Sequence, residues 1–362
     1  MIIRWSLVAL LFAVFFLFSY NSGYGFDGLE YLIIARSLLA GYPMYTFIPS
    51  KSPGLYALIA SWIASGLPQS HTGVAIMVTL SLALLLVSAW FVASSFYDSQ
   101  TALVTCLLVV GSAFTMELNF LEPDGLVAAC GLIASWFVYR GSGYDPAIKP
   151  KWWFAGGLII GLGCCLKTVA ALYWLGAVVF ATWLFFTSFV TKKKASWAVA
   201  VLTLGTALPQ AAEWIFFALT ARSEKFLLWT YIYPLLYYPA DTIYLSKLLF
   251  KCGWFALVVL AAAYCSRRWK QLHDLRTALV LSMAGASLLS LLKTQATHYL
   301  VPSAVFLSMF AAVVFVEGYR AGRLVLAGKR TLAFVTVASC VFIAYTAASR
   351  PDVLRRFISV RD

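Results

Sequence analysis

Apolar residues run along this chain in stretches of about 15 to 25, separated by short polar breaks. An α-helix needs roughly 20 such residues, at about 1.5 Å each, to cross the hydrocarbon of a bilayer. Runs of that kind stand near 73–95, 102–117, 124–140, 153–168, 172–191, 195–219, 248–265, 276–292, 299–318 and 331–348. Another occupies 1–20, where Arg4 precedes a long Phe-rich stretch with no A-x-A cleavage pattern, so it reads as a retained first span that starts in the cytoplasm. The pattern predicts an all-α polytopic membrane protein with about eleven transmembrane helices. It forms one transmembrane domain over 1–348, with a basic tail at 349–362.

One short run decides the topology. The apolar residues 54–67 number only 14, too few to span. If they lie in the interface, 21–72 becomes a first outer loop carrying interfacial helices. The inner loops then collect Arg140, Lys149, Lys151, the run Lys192-Lys193-Lys194, Arg267, Arg268, Lys270, Arg276, Arg320, Arg323, Lys329 and Arg330, which with Arg4 make 15 of the 27 basic residues. The positive-inside rule favours that arrangement, leaving only the tail's Arg350, Arg355, Arg356 and Arg361 discordant.

Composition agrees and removes other classes. Hydrophobic residues make up 62% and charged residues 11% of the 362, against about 45–50% and 25% in a soluble domain. The net charge of +13 sits mostly between apolar runs, so it orients a membrane protein and builds no basic domain for nucleic acid. The seven cysteines include no CxxC, and with three histidines they suggest no zinc site. There is no GxGxxG, Walker loop or internal repeat.

The acids are scarce, 14 in all, and the favoured topology gathers Asp27, Glu30, Glu117, Glu122, Asp124 and Asp241 on the outer side. In Phe26-Asp27-Gly28-Leu29-Glu30-Tyr31, helical spacing puts Asp27, Glu30 and Tyr31 on one face of an interfacial helix that Gly41 and Pro43 end. Asp27 is there either as a helix cap or as a working carboxylate. Lys51 precedes a proline-started helix and is either a snorkelling anchor or an anion ligand. The stretch 117–124 packs three carboxylates into a turn, with Asp124 placed to cap the next helix and Glu122 not. Lys167 ends a glycine-rich span (Gly156, Gly157, Gly161, Gly163), and Lys293, His298 and Tyr299 share another outer turn. Carboxylates and lysines on one membrane face suit chemistry on a lipid phosphate: acids activate a hydroxyl or hold a metal, and cations hold the phosphate.

These motifs resemble, in order along nearly the whole chain, the polyprenyl-phosphate-sugar-dependent glycosyltransferases of the GT-C fold, in particular bacterial relatives of protein O-mannosyltransferases and of the lipid A aminoarabinose transferase. The matching residues are Asp27…Tyr31…Ala35…Leu38-Leu39…Gly41-Tyr42-Pro43…Tyr45, then Lys51-Ser52-Pro53, Glu122-Pro123-Asp124, Gly161-Leu162-Gly163…Lys167-Thr168 and His298-Tyr299-Leu300-Val301-Pro302. Two departures stand out: Gly28 where the family has an acid beside Asp27, and Ser52 where it has a proline. The resemblance implies a sugar donor on a polyprenyl phosphate and a glycan, lipid or protein acceptor. It also implies a bacterial plasma-membrane location with the site facing outward. Asp27 would be the catalytic carboxylate, Lys51 and then Lys167 the donor-phosphate ligands, and Glu122 and Asp124 the second acidic motif, with Glu30, Tyr31, Lys293, His298 and Tyr299 as further candidates. A divalent cation held by Asp27 and Asp124, Mg²⁺ or Mn²⁺ by ligand hardness, and metal-independence are equally allowed. A transporter or flippase is the competing class, and it would lean on Glu213 in the 195–219 span.

Overall fold

The computed structural model describes residues 13, 15–17, 19–20, 26–45, 52–116, 118, 121–142, 148–233, 255–256, 258–263, 274–292 and 297–320. Among these residues there is no strand. The helices are α1 (Phe26–Leu39), α2 (Pro53–Ala64), α3 (His71–Phe96), α4 (Ser99–Thr115), α5 (Asp124–Ser142) and α6 (Pro150–Leu166). After them come α7 (Ala171–Phe186), α8 (Lys192–Leu219), the short α9 (Ser223–Leu227), α10 (Leu275–Leu288) and α11 (Val301–Arg320). Five described helices are long and apolar enough to span a membrane, and four shorter apolar ones accompany them. The chain is a multi-pass membrane protein. The expected span at 331–348 and the tail lie outside the described residues, as does part of 248–265.

The segment expected to form the first loop holds the two helices that the sequence calls for. Positive φ at Gly41 (84°) turns the chain just past α1, and Pro53 opens α2 at its first turn. With 12 residues, α2 is about 18 Å long, well short of a bilayer's hydrocarbon. The run expected at 172–191 differs. Its helix stops at Phe186, and Ser188 takes a positive φ of 59°. Thr191 then accepts from the Lys194 N–H to cap α8, so the chain reverses before the lysines.

Glycine sets the tightest helix contact. A Cβ on Gly157 would stand 2.2 Å from the Leu202 carbonyl oxygen, and one on Gly161 2.5 Å from that of Thr206. Residues 157 and 161 thus meet 202 and 206 in the same order, so α6 and α8 run parallel with touching backbones. α8 lies at the periphery, only 11% of its apolar window buried, and shows Trp197, Leu204, Ile215 and Leu219 outward, as a helix facing lipid would. α11 is enclosed, with 78% of its window buried.

At the end opposite Lys167, side chains tie helix termini together. Asp98 accepts from the N–H groups of Gln100 and Thr101, capping α4, and pairs with Arg320 at 2.7 Å. Arg276 donates to the Tyr139 hydroxyl at 3.1 Å and to the Phe96 carbonyl. These contacts align α3, α4, α5, α10 and α11, and so fix what their other ends carry.

Gly157→Val forces a side chain into a backbone contact and is expected to lower stability in detergent by about 1–3 kcal/mol. Thermal unfolding followed by tryptophan fluorescence reads this as a fall in Tm.

Candidate active site

The acids are assembled by close approach of backbones. Gly28 lies against Leu121: a Cβ at residue 28 would be 3.2 Å from the Leu121 Cβ. The glycine lets the turn carrying Glu122 settle on the start of α1, beside Asp27. Gly54 does the same for α2, where a Cβ would stand 2.6 Å from the Cys165 carbonyl oxygen. The start of α2 therefore rests on the end of α6, next to Lys167.

Two buried tyrosines hold the carboxylates. Tyr31 (1% exposed) donates its hydroxyl to Glu122 Oε2 at 3.3 Å, and Tyr56 (0%) donates to Glu30 Oε1 at 3.4 Å. Their rings meet edge-on at 5.7 Å. Burial, then the charges of Glu122 and Asp27, push the Tyr31 hydroxyl well above its ordinary value, so it stays protonated and remains a donor. The predicted common face of Asp27, Glu30 and Tyr31 is present, while Leu29, Ile33 and Arg36 point away and are exposed.

Asp124 has no exposed surface, and its two oxygens lie 3.1 and 2.9 Å from Lys167 Nζ. Burial works against the Lys167 ammonium, but Asp124, Tyr299 and Glu122 together outweigh it, so the lysine is held above its ordinary value and stays charged. The ammonium also lies 4.2 Å from the centre of the Tyr299 ring. Lys167 can hold its place because α6 ends there: the backbone turns extended at Lys167 (φ −160°, ψ 127°) before the 3₁₀ turn Thr168–Ala170.

Glu122 lacks such a partner. Burial raises it, Lys167 lowers it in part, and Asp124 raises it again, leaving a pKa of about 7. The raised value means that the fold favours the protonated acid.

The 3₁₀ turn Thr297–Leu300 brings His298 and Tyr299 to the same place. It is fixed by Ser290 donating to the Tyr299 carbonyl at 2.9 Å, and by Tyr173 donating to the Pro302 carbonyl at 3.0 Å from the buried start of α7. Donor atoms of Glu122, Asp124 and His298 lie within 4.8 Å of one another. That set suits a divalent cation in ligand type, but both Asp124 oxygens already bind an ammonium. An ion at Asp124 would have to displace Lys167, so the arrangement as it stands does not fit a metal there. Asp27 is not part of this set.

Of the sequence candidates, the structure brings together Glu122, Asp124, Lys167, His298 and Tyr299, with Tyr31 bonded to Glu122 and Asp27 close enough for Glu122 to feel its charge. Glu30 is held by Tyr56. Lys51, Glu117 and Lys293 lie outside the described residues. Sequence reasoning gave no role to Tyr56, Tyr173 or Ser290. No acid lies near any of them in sequence, so nothing local marks them.

Residues 50–212 match the family described as dolichyl-phosphate-mannose-protein mannosyltransferase. The fold is similar to ArnT from Cupriavidus metallidurans bound to undecaprenyl phosphate (TM-score 0.64, 16% identity, covering 97% of this chain and 73% of that one). It is also similar to the oligosaccharyltransferase AglB from Archaeoglobus fulgidus in complex with an inhibitory peptide and a dolichol phosphate (TM-score 0.58, 16% identity, 93% and 54%). A complex of the Archaeoglobus fulgidus oligosaccharyltransferase with Zn and sulfate aligns likewise (TM-score 0.58, 12% identity, 93% and 52%). The chain spans about half the length of the archaeal enzyme. No curated protein matches by sequence. ArnT and AglB are GT-C glycosyltransferases, and this chain has their fold.

Lys167→Met leaves the Asp124 charge buried alone and is expected to cost about 3–5 kcal/mol. Adding Asp124→Asn should recover most of that loss, which denaturation of the three proteins in detergent would show. For Glu122 the folded pKa, about 7, exceeds the ordinary 4.5. Its contribution to stability is therefore fully present below about 4.5 and is lost as pH rises through about 7. Glu122→Gln keeps an acceptor for Tyr31 and removes the titration, so its Tm relative to the wild type should climb between pH 5 and pH 8.

Proposed function

We propose that this protein is an inverting glycosyltransferase that moves a sugar from a polyprenyl-phosphate donor to a hydroxyl acceptor at the outer membrane face. The observation that carries the reading is the cluster itself: carboxylates of two acidic motifs and one ammonium gathered at one end of a GT-C bundle.

In this reading Asp27 takes the proton of the acceptor hydroxyl as its oxygen attacks the anomeric carbon. The bond from that carbon to the phosphate oxygen breaks, and the polyprenyl phosphate leaves with the electron pair from the opposite side, which inverts the centre. Glu122, held by Tyr31 and close to neutral, orients the acceptor hydroxyl from the other side of Asp27. Negative charge builds on the departing phosphate. Lys51 is assigned to it first, because the Lys167 ammonium is shared with Asp124 and would have to divide its donors. Lys167 and Asp124 chiefly give the acidic wall its shape.

Transport is less well supported. Glu213, the acid that such a reading needs, stands six residues before the end of α8, about 9 Å along the axis, which is near a membrane face and not at its middle.

Asp27→Asn should reduce transfer from a labelled polyprenyl-phosphate sugar by at least about 10²-fold, with normal amounts of protein in the membrane. Near-wild-type turnover would remove Asp27 from this role. Lys51→Ala should raise the KM for donor more than that for acceptor, and equal changes would make it an anchor.

A further inference from the structure

At the end of the bundle away from Lys167, several acids are already matched. Asp98 and Glu317 pair with Arg320, and Asp274 lies 3.9 Å from Arg276. The corner where α5 ends and α6 begins is different. Arg140, Lys149 and Lys151 are exposed there, and among the described residues no carboxylate pairs with any of them. Asp145, the acid of the intervening loop, lies outside the described residues and offsets at most one of the three charges.

Two of these cations rest on aromatic rings. The Arg140 guanidinium lies 5.1 Å from the centre of the Trp136 ring, and the Lys151 ammonium 5.5 Å from that of Trp152. The two indoles meet edge-on at 5.9 Å, and Phe137 stacks on Trp152 at 5.7 Å. Backbone packing sets this platform. A Cβ on Gly141 would stand 2.5 Å from the Trp153 ring and 3.2 Å from the Trp152 Cβ, so the first turn of α6 is pressed against the last of α5. Trp136 in turn meets Phe91 on α3, with ring centres 5.2 Å apart. From Phe91 an exposed apolar stripe of Val87, Leu84 and Leu80 follows one face of α3. Leu80 and Phe91 are about 16 Å apart along the axis, close to the ~15 Å of hydrocarbon in one leaflet.

We infer that this corner binds an anionic phospholipid, with its phosphate at Arg140 and Lys151 and an acyl chain along the Leu80–Phe91 face of α3. The site is separate from the transfer reaction and lies in the leaflet away from the acidic cluster. A cation resting on an exposed indole is weakly held, whereas a phosphate offers charge-assisted hydrogen bonds, bidentate to a guanidinium. Both cations can therefore turn from their rings to a phosphate, while the indoles stay at the interfacial depth that tryptophan prefers. A zwitterionic headgroup brings an ammonium that the three cations repel. A soluble anion makes no use of the stripe.

The test is native mass spectrometry of the full chain, delipidated in detergent and titrated with phosphatidylglycerol or with phosphatidylcholine of the same acyl chains. At about fivefold per cation, the first phosphatidylglycerol should bind at least tenfold tighter than the first phosphatidylcholine. Arg140→Gln/Lys151→Gln removes two exposed charges and should bring the two lipids to within about threefold of each other. Lys192→Gln/Lys193→Gln/Lys194→Gln is the control, because α6 and α8 run parallel and these lysines open α8 at the same end. It should keep the preference. Equal affinity of the wild type for the two lipids overturns the inference. So does a preference that survives in the Arg140/Lys151 variant. A preference that falls by the same factor in both variants shows diffuse attraction by this end of the bundle, and overturns it too.

Discussion

A carboxylate sealed from solvent at the end of a membrane helix must be neutralised, and at Asp124 the Lys167 ammonium does so with both oxygens engaged. Much of the site's architecture serves that pair. α6 must stop where it does, so that Lys167 leaves the helix in extended conformation. The start of α2 must sit on the end of α6, which only a residue without Cβ at position 54 permits. The 297–300 turn must bring an aromatic face beneath the ammonium, and a buried tyrosine and a serine hold that turn in place. Charge neutrality at one point thus fixes the relative positions of four segments far apart in sequence.

The same pair leaves its neighbours unbalanced. Among the described residues, Lys167 is the one ammonium at the cluster, and Asp124 claims it. Glu122 and Glu30 are held by phenolic hydroxyls, which satisfy hydrogen bonds without adding positive charge. Burial, ahead of the charges of Asp124 and Asp27, raises the Glu122 carboxyl, and Lys167 offsets that only in part. A neutral hydroxyl is welcome there. A phosphate needs a cation from elsewhere, and the proposed reaction assigns Lys51, in the segment before α2, to that task.

How much of this the sequence reveals depends on the range of the interaction. Local features are legible: the i, i+3, i+4 grouping of Asp27, Glu30 and Tyr31, the end of α1 at Gly41, and the inability of 54–67 to span. Glycines at 157 and 161 announce a close contact, but only the structure says that the partner is α8 and that the two helices run parallel. The pairings that make the site link Lys167 to Asp124 and Tyr31 to Glu122 across 43 and 91 residues. No periodicity encodes them, because hydrophobic patterning says which face is buried and not which helix faces it. The reading of Asp124 as a helix cap illustrates the limit: its position at the start of α5 was right, while its partner lay on another helix.

The absent side chain at Gly28 has a counterpart in the turn above it. With Leu121 lodged 3.2 Å from where a Cβ would begin, a side chain at position 28 would need Leu121, one residue before Glu122, to give way by a few tenths of an ångström. A second acid beside Asp27 would thus crowd the seat of the 121–124 turn in this chain. It has settled on the seat and brings its neighbouring acid from a distant stretch of sequence.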